Sequence, residues 1–342
     1  MKKRLILFTI FILLFLCLAL LISATTRPVI PSDSMGKIAV YTRNKPKAEL
    51  TVAVIDSNGE TVTAYGHDGK IIEVPQRSYE IGDISKTFTG ALVSKAIIEE
   101  RMRIQDKLSD HMVLSAGTYA PSMFELVTHT SAYGTYPGYS KNKFKSGKNP
   151  FSKSSYPELI TVMDDFRLNQ TPPYMYSYSN FGAAVAGMAV EDTFGEEYYD
   201  LLSDYLDELG LKETYVALSR EQAAEGGWVW AQSDEYIASM GLSSTVNDMI
   251  KYAKMFLSGN RRELNYCSTP LVEINMETNV AVFWNVSQSG VLSHSGETSR
   301  YSSEIVIDRA NQRAVIVLSN YPSDKYGSVQ DIAEAIISES FS

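Results

Sequence analysis

Strand-like alternation is confined to the two ends of this 342-residue chain, and helical spacing fills the stretch between them. Glu49 to Asp56 alternates as a strand, Ser57-Asn58-Gly59 supplies a hairpin turn, and Thr61 to Tyr65 reads as the returning strand. From about Ile84 to Arg101, Ile84, Phe88, Ala91, Leu92 and Ile98 recur on one helical face. Residues 105 to 275 mix short helical patterns with Tyr- and Pro-rich loops. Four β-rich runs follow, Val280–Val286, Gly290–His294, Ser302–Asp308 and Ala314–Ser319, and then a helix over Ser328–Ser338. Strands from both termini around a helical middle predict an α+β fold. Its antiparallel sheet, flanked by helices, would be built from 49–104 and 276–342, with a mostly helical insert at 105–275.

Cys17 and Cys267 are the only cysteines, and Cys17 falls inside an apolar run, so no intramolecular disulfide is expected and a hydrophobic core must hold the fold. That run begins after Lys2, Lys3 and Arg4 and extends from Leu5 to Ala24 without a charge. Its residues, at about 1.5 Å each, span about 30 Å, the hydrocarbon thickness of a bilayer. A cleaved signal has a shorter apolar stretch and small residues at the cut, whereas Ile22-Ser23-Ala24 places a bulky one there. We therefore expect a cytoplasmic tail at 1–4, a transmembrane signal-anchor at 5–24, a polar stalk at 25–48 and a domain at 49–342 held outside the cytoplasm. The expected location is the cell membrane, with a single pass. With 31 Lys and Arg against 40 Asp and Glu the charge is −9, the wrong sign for nucleic-acid binding. His67, His111, His129 and His294 lie far apart and near no cysteine pair, so neither a metal nor a cofactor is expected.

Local chemistry begins at Glu80-Ile81-Gly82-Asp83-Ile84-Ser85-Lys86-Thr87-Phe88-Thr89-Gly90. Lys86 lies three positions after Asp83, so both project from one side of a helix start. A capping aspartate with an ion pair would explain this much. Four further motifs follow: Phe124 to Ser131 with His129, Thr130 and Ser131; Tyr178-Ser179-Asn180-Phe181-Gly182; Gly241 to Asp248; and His294-Ser295-Gly296. In this order and spacing the chain, from Glu49 onward, resembles the serine β-lactamase and penicillin-binding-protein superfamily. The branch is that of class C β-lactamases, D-alanyl-D-alanine carboxypeptidases, D-aminopeptidases and esterases.

The resemblance implies a catalytic set of Asp83, Lys86, Tyr178, Asn180 and His294, with Ser295, Gly296, Glu297 and Arg300 binding substrate. It places the Asp83 and Glu297 backbone N–H groups as an oxyanion hole. The chain departs from the family at the nucleophile, where Asp83 stands in place of serine, and Ser85 points off another side of the helix. A second departure puts Glu297-Thr298-Ser299-Arg300-Tyr301 where relatives run glycine-rich. A second carboxylate beside the pocket disfavours carboxylate ligands unless Arg300 or Lys86 offsets it.

The preferred reading is a monomeric, membrane-anchored hydrolase or acyl/peptidyl transferase acting on a cell-envelope peptide, amide or ester, with Asp83 replacing serine. The alternative is a pseudoenzyme that binds an envelope peptide or polymer. A third takes Asp83 as a substitution in an otherwise ordinary serine hydrolase. His129 with Thr130 and Ser131 reads as a buried turn, and Trp228 as core. Tyr133, Tyr136, Tyr139, Tyr174 and Tyr176 read as cleft walls. Lys141, Lys143, Lys145, Lys148 and Lys153 read as a solvated loop.

Overall fold

The computed structural model describes residues 31–135, 148–169 and 171–339. The Leu5–Ala24 run, Tyr136, Tyr139, Lys141, Lys143 and Lys145 lie outside them. Among the described residues no helix is long and apolar enough to cross a membrane.

In chain order the strands are β1 (Leu50–Asp56), β2 (Gly59–Tyr65), β3 (Ile71–Ile72), β4 (Tyr79–Glu80), β5 (Tyr215–Val216), β6 (Leu242–Ser244), β7 (Val272–Glu273), β8 (Thr278–Val280), β9 (Asn285–Ser287), β10 (Leu292–Glu297), β11 (Ser302–Asp308) and β12 (Arg313–Ser319). The helices are α1 (Ser34–Thr42), α2 (Ser85–Ile98), α3 (Met123–Val127), α4 (Tyr156–Asp165), α5 (Asn180–Phe194), α6 (Tyr198–Glu208), α7 (Ile237–Met240), α8 (Val246–Ser258), α9 (Arg262–Cys267) and α10 (Val329–Ser338). The main sheet runs β3-β2-β1-β12-β11-β10-β9-β8-β7, all its neighbours antiparallel. The first hairpin therefore pairs with the last two long strands, Leu50 opposite Ser319, as expected from strands at both ends of the chain. A small sheet, β4-β6-β5, ties the approach to Asp83 to the helical region.

Alternation sends β1 side chains to two different cores. Leu50 and Val52 join Val306, Val315 and Val317 under α1 and α10, where Ile38, Tyr41, Val329, Ile332 and Ile336 cover them. Ala53 and Ile55 face the other way, with Ile305, Ile307 and Ile316, toward Phe88 and Leu92 of α2 and Met249, Tyr252 and Phe256 of α8. Strands β11 and β12 are buried on both faces, which is why Ile305–Ile307 and Ala314–Leu318 read as unbroken apolar runs rather than alternating ones.

Three sequence expectations shift. The stretch assigned to a polar stalk contains α1, capped by Asp33, whose carboxylate accepts the Gly36 N–H at 2.7 Å. Ser34 donates through N and Oγ to Glu339 at 2.7 and 2.8 Å, clasping the start of α1 to the end of α10. A two-turn helix anchored by little more than Ile38 and Tyr41 is too short to write a legible period. The run Val280–Val286 divides into β8 and β9, because Phe283 takes φ 58 in a turn closed by Ala281 N–H to Trp284 O at 2.8 Å. The sheet also draws on the segment assigned to the insert, since β7 forms its edge and α8 packs on its face.

Candidate active site

Two glycines bring the first and last motifs together. Asp83 lies in a tight turn, Gly82–Ile84, that leads from β4 into α2. Gly82 has φ +50, and a Cβ there would stand 2.8 Å from Glu297 N. A Cβ at Gly296 would collide with the Ile81 carbonyl oxygen. Backbone therefore meets backbone where β10 passes the turn, and no side chain fits between them.

The Asp83 carboxylate, 15% exposed, is held from three directions. Lys86 Nζ donates to its Oδ1 at 2.6 Å and Tyr178 OH donates to the same oxygen at 3.1 Å. The N–H of Glu297 reaches Oδ2 at 3.3 Å. Lys86 is fully buried; its ammonium also donates to Ser239 O at 3.2 Å and lies 5.0 Å from the Tyr178 ring centre. Burial pulls the Lys86 ammonium below its ordinary pKa, and Asp83 opposes that pull. Asn180 opens α5 behind Tyr178, where its Oδ1 accepts from Ser239 Oγ at 3.1 Å, so it supports the carbonyl that Lys86 uses.

His294 donates from Nδ1 to Ser295 O at 2.7 Å, since a carbonyl can only accept, which leaves Nε2 as the lone-pair nitrogen. Burial and the Lys86 charge lower its pKa to about 4, so it is neutral and contributes no positive charge. His129 is the buried turn expected, with φ 57. Its Nδ1 accepts from Ser179 N at 3.2 Å and its ring lies 4.6 Å from that of Tyr178, which it helps to position. Burial holds its pKa well below the usual value.

These groups border a cleft of about 330 Å³ lined by Asp83, Tyr178, His294, Ser295, Gly296 and Glu297, and completed by Asn285, Ser323, Ser328, Val329 and Gln330. The structure thus gathers Asp83, Lys86, Tyr178 and His294 around one carboxylate, with Asn180 in support. Arg300 does not join them. It turns toward Gly226 and lines a separate polar cleft with Arg77, Glu225 and Tyr321, so the cation expected to offset Glu297 is elsewhere. Ser85 is buried, its Oγ accepting from Leu242 N at 3.0 Å, and offers no replacement hydroxyl. Trp228 is core, as expected. Tyr133 is also core, wedged edge-on against Phe166 and Phe181, and neither Tyr174 nor Tyr176 lines the cleft at Asp83.

Two carboxylates that support this site escaped the sequence reading. Glu80 accepts from Thr298 Oγ1 at 2.6 Å and from Trp228 N, pinning the turn after β10. Glu304 is buried beneath Ser295, whose Oγ donates to it. An acid directly before the apolar run Ile305–Ile307 of β11 was the available signal. Burial raises the Glu304 pKa to about 8. A carboxyl that stays protonated in the fold but ionises near 4.5 when unfolded contributes stability below about pH 4.5 that is lost as pH rises to about 8. Glu304→Gln should remove this slope: relative to the native chain, urea unfolding should show a gain of about 1 kcal/mol at pH 5 that grows to roughly 4 kcal/mol at pH 8.

Residues 42–338 match the family described as Beta-lactamase. A curated Beta-lactamase of Providencia stuartii is 22% identical over 221 residues, covering 60% of this chain and 54% of its own length, so the chain spans about half of that relative. A solved Beta-lactamase/D-alanine carboxypeptidase from Yersinia pestis, complexed with citrate, superposes with a TM-score of 0.72 at 16% identity, covering 87% of this chain and 94% of its own. A class C beta-lactamase superposes with a TM-score of 0.70 at 17% identity, over 87% and 93%.

Proposed function

The chain belongs to the beta-lactamase family of hydrolases, and from that premise we propose that its cleft binds a cell-envelope peptide or amide while Asp83 closes the acyl-serine route. One observation carries this reading: the Asp83 carboxylate is bonded at once to Lys86, Tyr178 and the Glu297 N–H. In a serine hydrolase of this kind, lysine and tyrosine relay the proton of the nucleophile and the strand N–H stabilises the oxyanion. Here both side chains donate to a group that has no proton to lose. The N–H that would meet a developing oxyanion is taken by Oδ2. A carboxylate neutralised in this way is a poor nucleophile, and its attack on an amide would yield an anhydride with no donor at the new oxyanion.

The second reading is hydrolysis or acyl/peptidyl transfer with Asp83 as nucleophile or base. Its support is the exposure of Asp83 into an open cleft with Tyr178 beside it as a proton donor. Incubation of the native chain with a panel of esters and D-amino-acid amides separates the two. We expect turnover at the level of an Asp83→Ala control, together with saturable peptide binding. Turnover at least about tenfold above that control would install the second reading. In either case the Leu5–Ala24 run would tether the domain to the outer face of the membrane.

A further inference from the structure

We infer that Glu297 receives an ammonium group of the bound ligand, so that the cleft selects cationic amines and amino-terminal peptides over carboxylates. This rests on the binding reading above and names the ligand class. Among the described residues no Lys or Arg lines the cleft, and the ionisable ones that do are Asp83, Tyr178, His294 and Glu297. The charge on Asp83 is cancelled by Lys86 at 2.6 Å, and neutral His294 adds nothing. Arg300 faces a different cleft. The first turn of α10 presents a positive helix end to the same space, but Asp331 caps it, accepting from Ser328 N at 3.1 Å and Oγ at 2.7 Å. Glu297 is what remains. Among the described residues no cation pairs with it, and hydroxyl-bearing Ser295, Ser323 and Ser328 surround its side of the cleft. Burial holds its carboxyl above the ordinary range even though Ser323 donates to it from N–H and Oγ, and an arriving ammonium would supply the missing counter-charge. The cleft has room for a dipeptide-sized group.

Calorimetric titration with three D-alanyl-D-alanine ligands tests this: one with a free amine and an amidated end, one acetylated and amidated, and one acetylated with a free carboxylate. The cation should bind about tenfold tighter than the neutral ligand, and the anion weakest. Glu297→Gln should bring the cation-to-neutral ratio to about one, and Glu297→Asp should keep it above about threefold. Binding without charge preference, or with the anion tightest, overturns the inference while leaving the binding reading in place. Failure of all three to bind overturns the binding reading, and this inference with it.

Discussion

Asp83→Ser is expected to convert a chain inert to fluorophosphonate into one that is labelled at residue 83, with at least about a hundredfold more adduct in the same time. The substitution changes three groups at once. Without a neighbouring carboxylate, the fully buried Lys86 loses what opposes its desolvation, so its ammonium gives up a proton more readily and can act as a base. Tyr178 OH, now donating to Asp83, is free to relay. The Glu297 N–H, released from Oδ2, can meet the phosphonyl oxygen. The serine oxygen then bonds to phosphorus, fluoride leaves, and the hydroxyl proton passes to Lys86. The probe is uncharged, so Glu297 does not bias the result. Intact mass and peptide mapping would locate the adduct, and Lys86→Met added to Asp83→Ser should erase it. Label on the native chain, or a folded Asp83→Ser that stays unlabelled, would show that the carboxylate is not what silences the site.

Asp83→Ala should cost about 3 kcal/mol of stability at pH 7, because it strands a charge with no exposed surface. Lys86→Met should cost less. It leaves Asp83 partly exposed and still bonded to Tyr178 and Glu297 N–H, and it exchanges an ammonium for an apolar chain of similar length. The double variant should recover most of the loss, which chemical denaturation can read as a coupling energy. The pH dependence gives an independent check. In Asp83→Ala the folded-state Lys86 pKa lies below its unfolded value, so over that interval the unfolded chain holds the extra proton and stability rises with pH. The deficit should therefore shrink as pH approaches the ordinary lysine value of about 10.4. A deficit independent of pH, or additive single variants, would mean that the pair is not coupled.

The strands at both ends were legible because β1, β2, β11 and β12 carry either alternation or unbroken apolar runs, and each is long enough to repeat its pattern. The motifs gathered at Asp83 were legible as one site only through their resemblance, in order and spacing, to a known family, because the contacts that join them cross 95 to 214 residues of chain. Long-range choices were not. Arg300 lies three residues beyond Glu297, and which cleft it enters depends on Gly226 far away in the chain. Tyr133 reads as a cleft wall with the other loop tyrosines, yet Phe166 and Phe181, distant in the chain, close over it. The lining residues Ser323, Ser328, Val329 and Gln330 carry no pattern of their own and reach the site only because α10 crosses the sheet.

That crossing has a mechanical consequence. The first turn of α10 borders the cleft, and its far end is clasped by Ser34 through Glu339. Ten residues of helix, about 15 Å, separate the two points, so pulling on the leading segment of the chain levers the rim of the cleft through a stiff rod. Tension at the amino-terminal end and occupancy of the cleft then work on opposite ends of one beam.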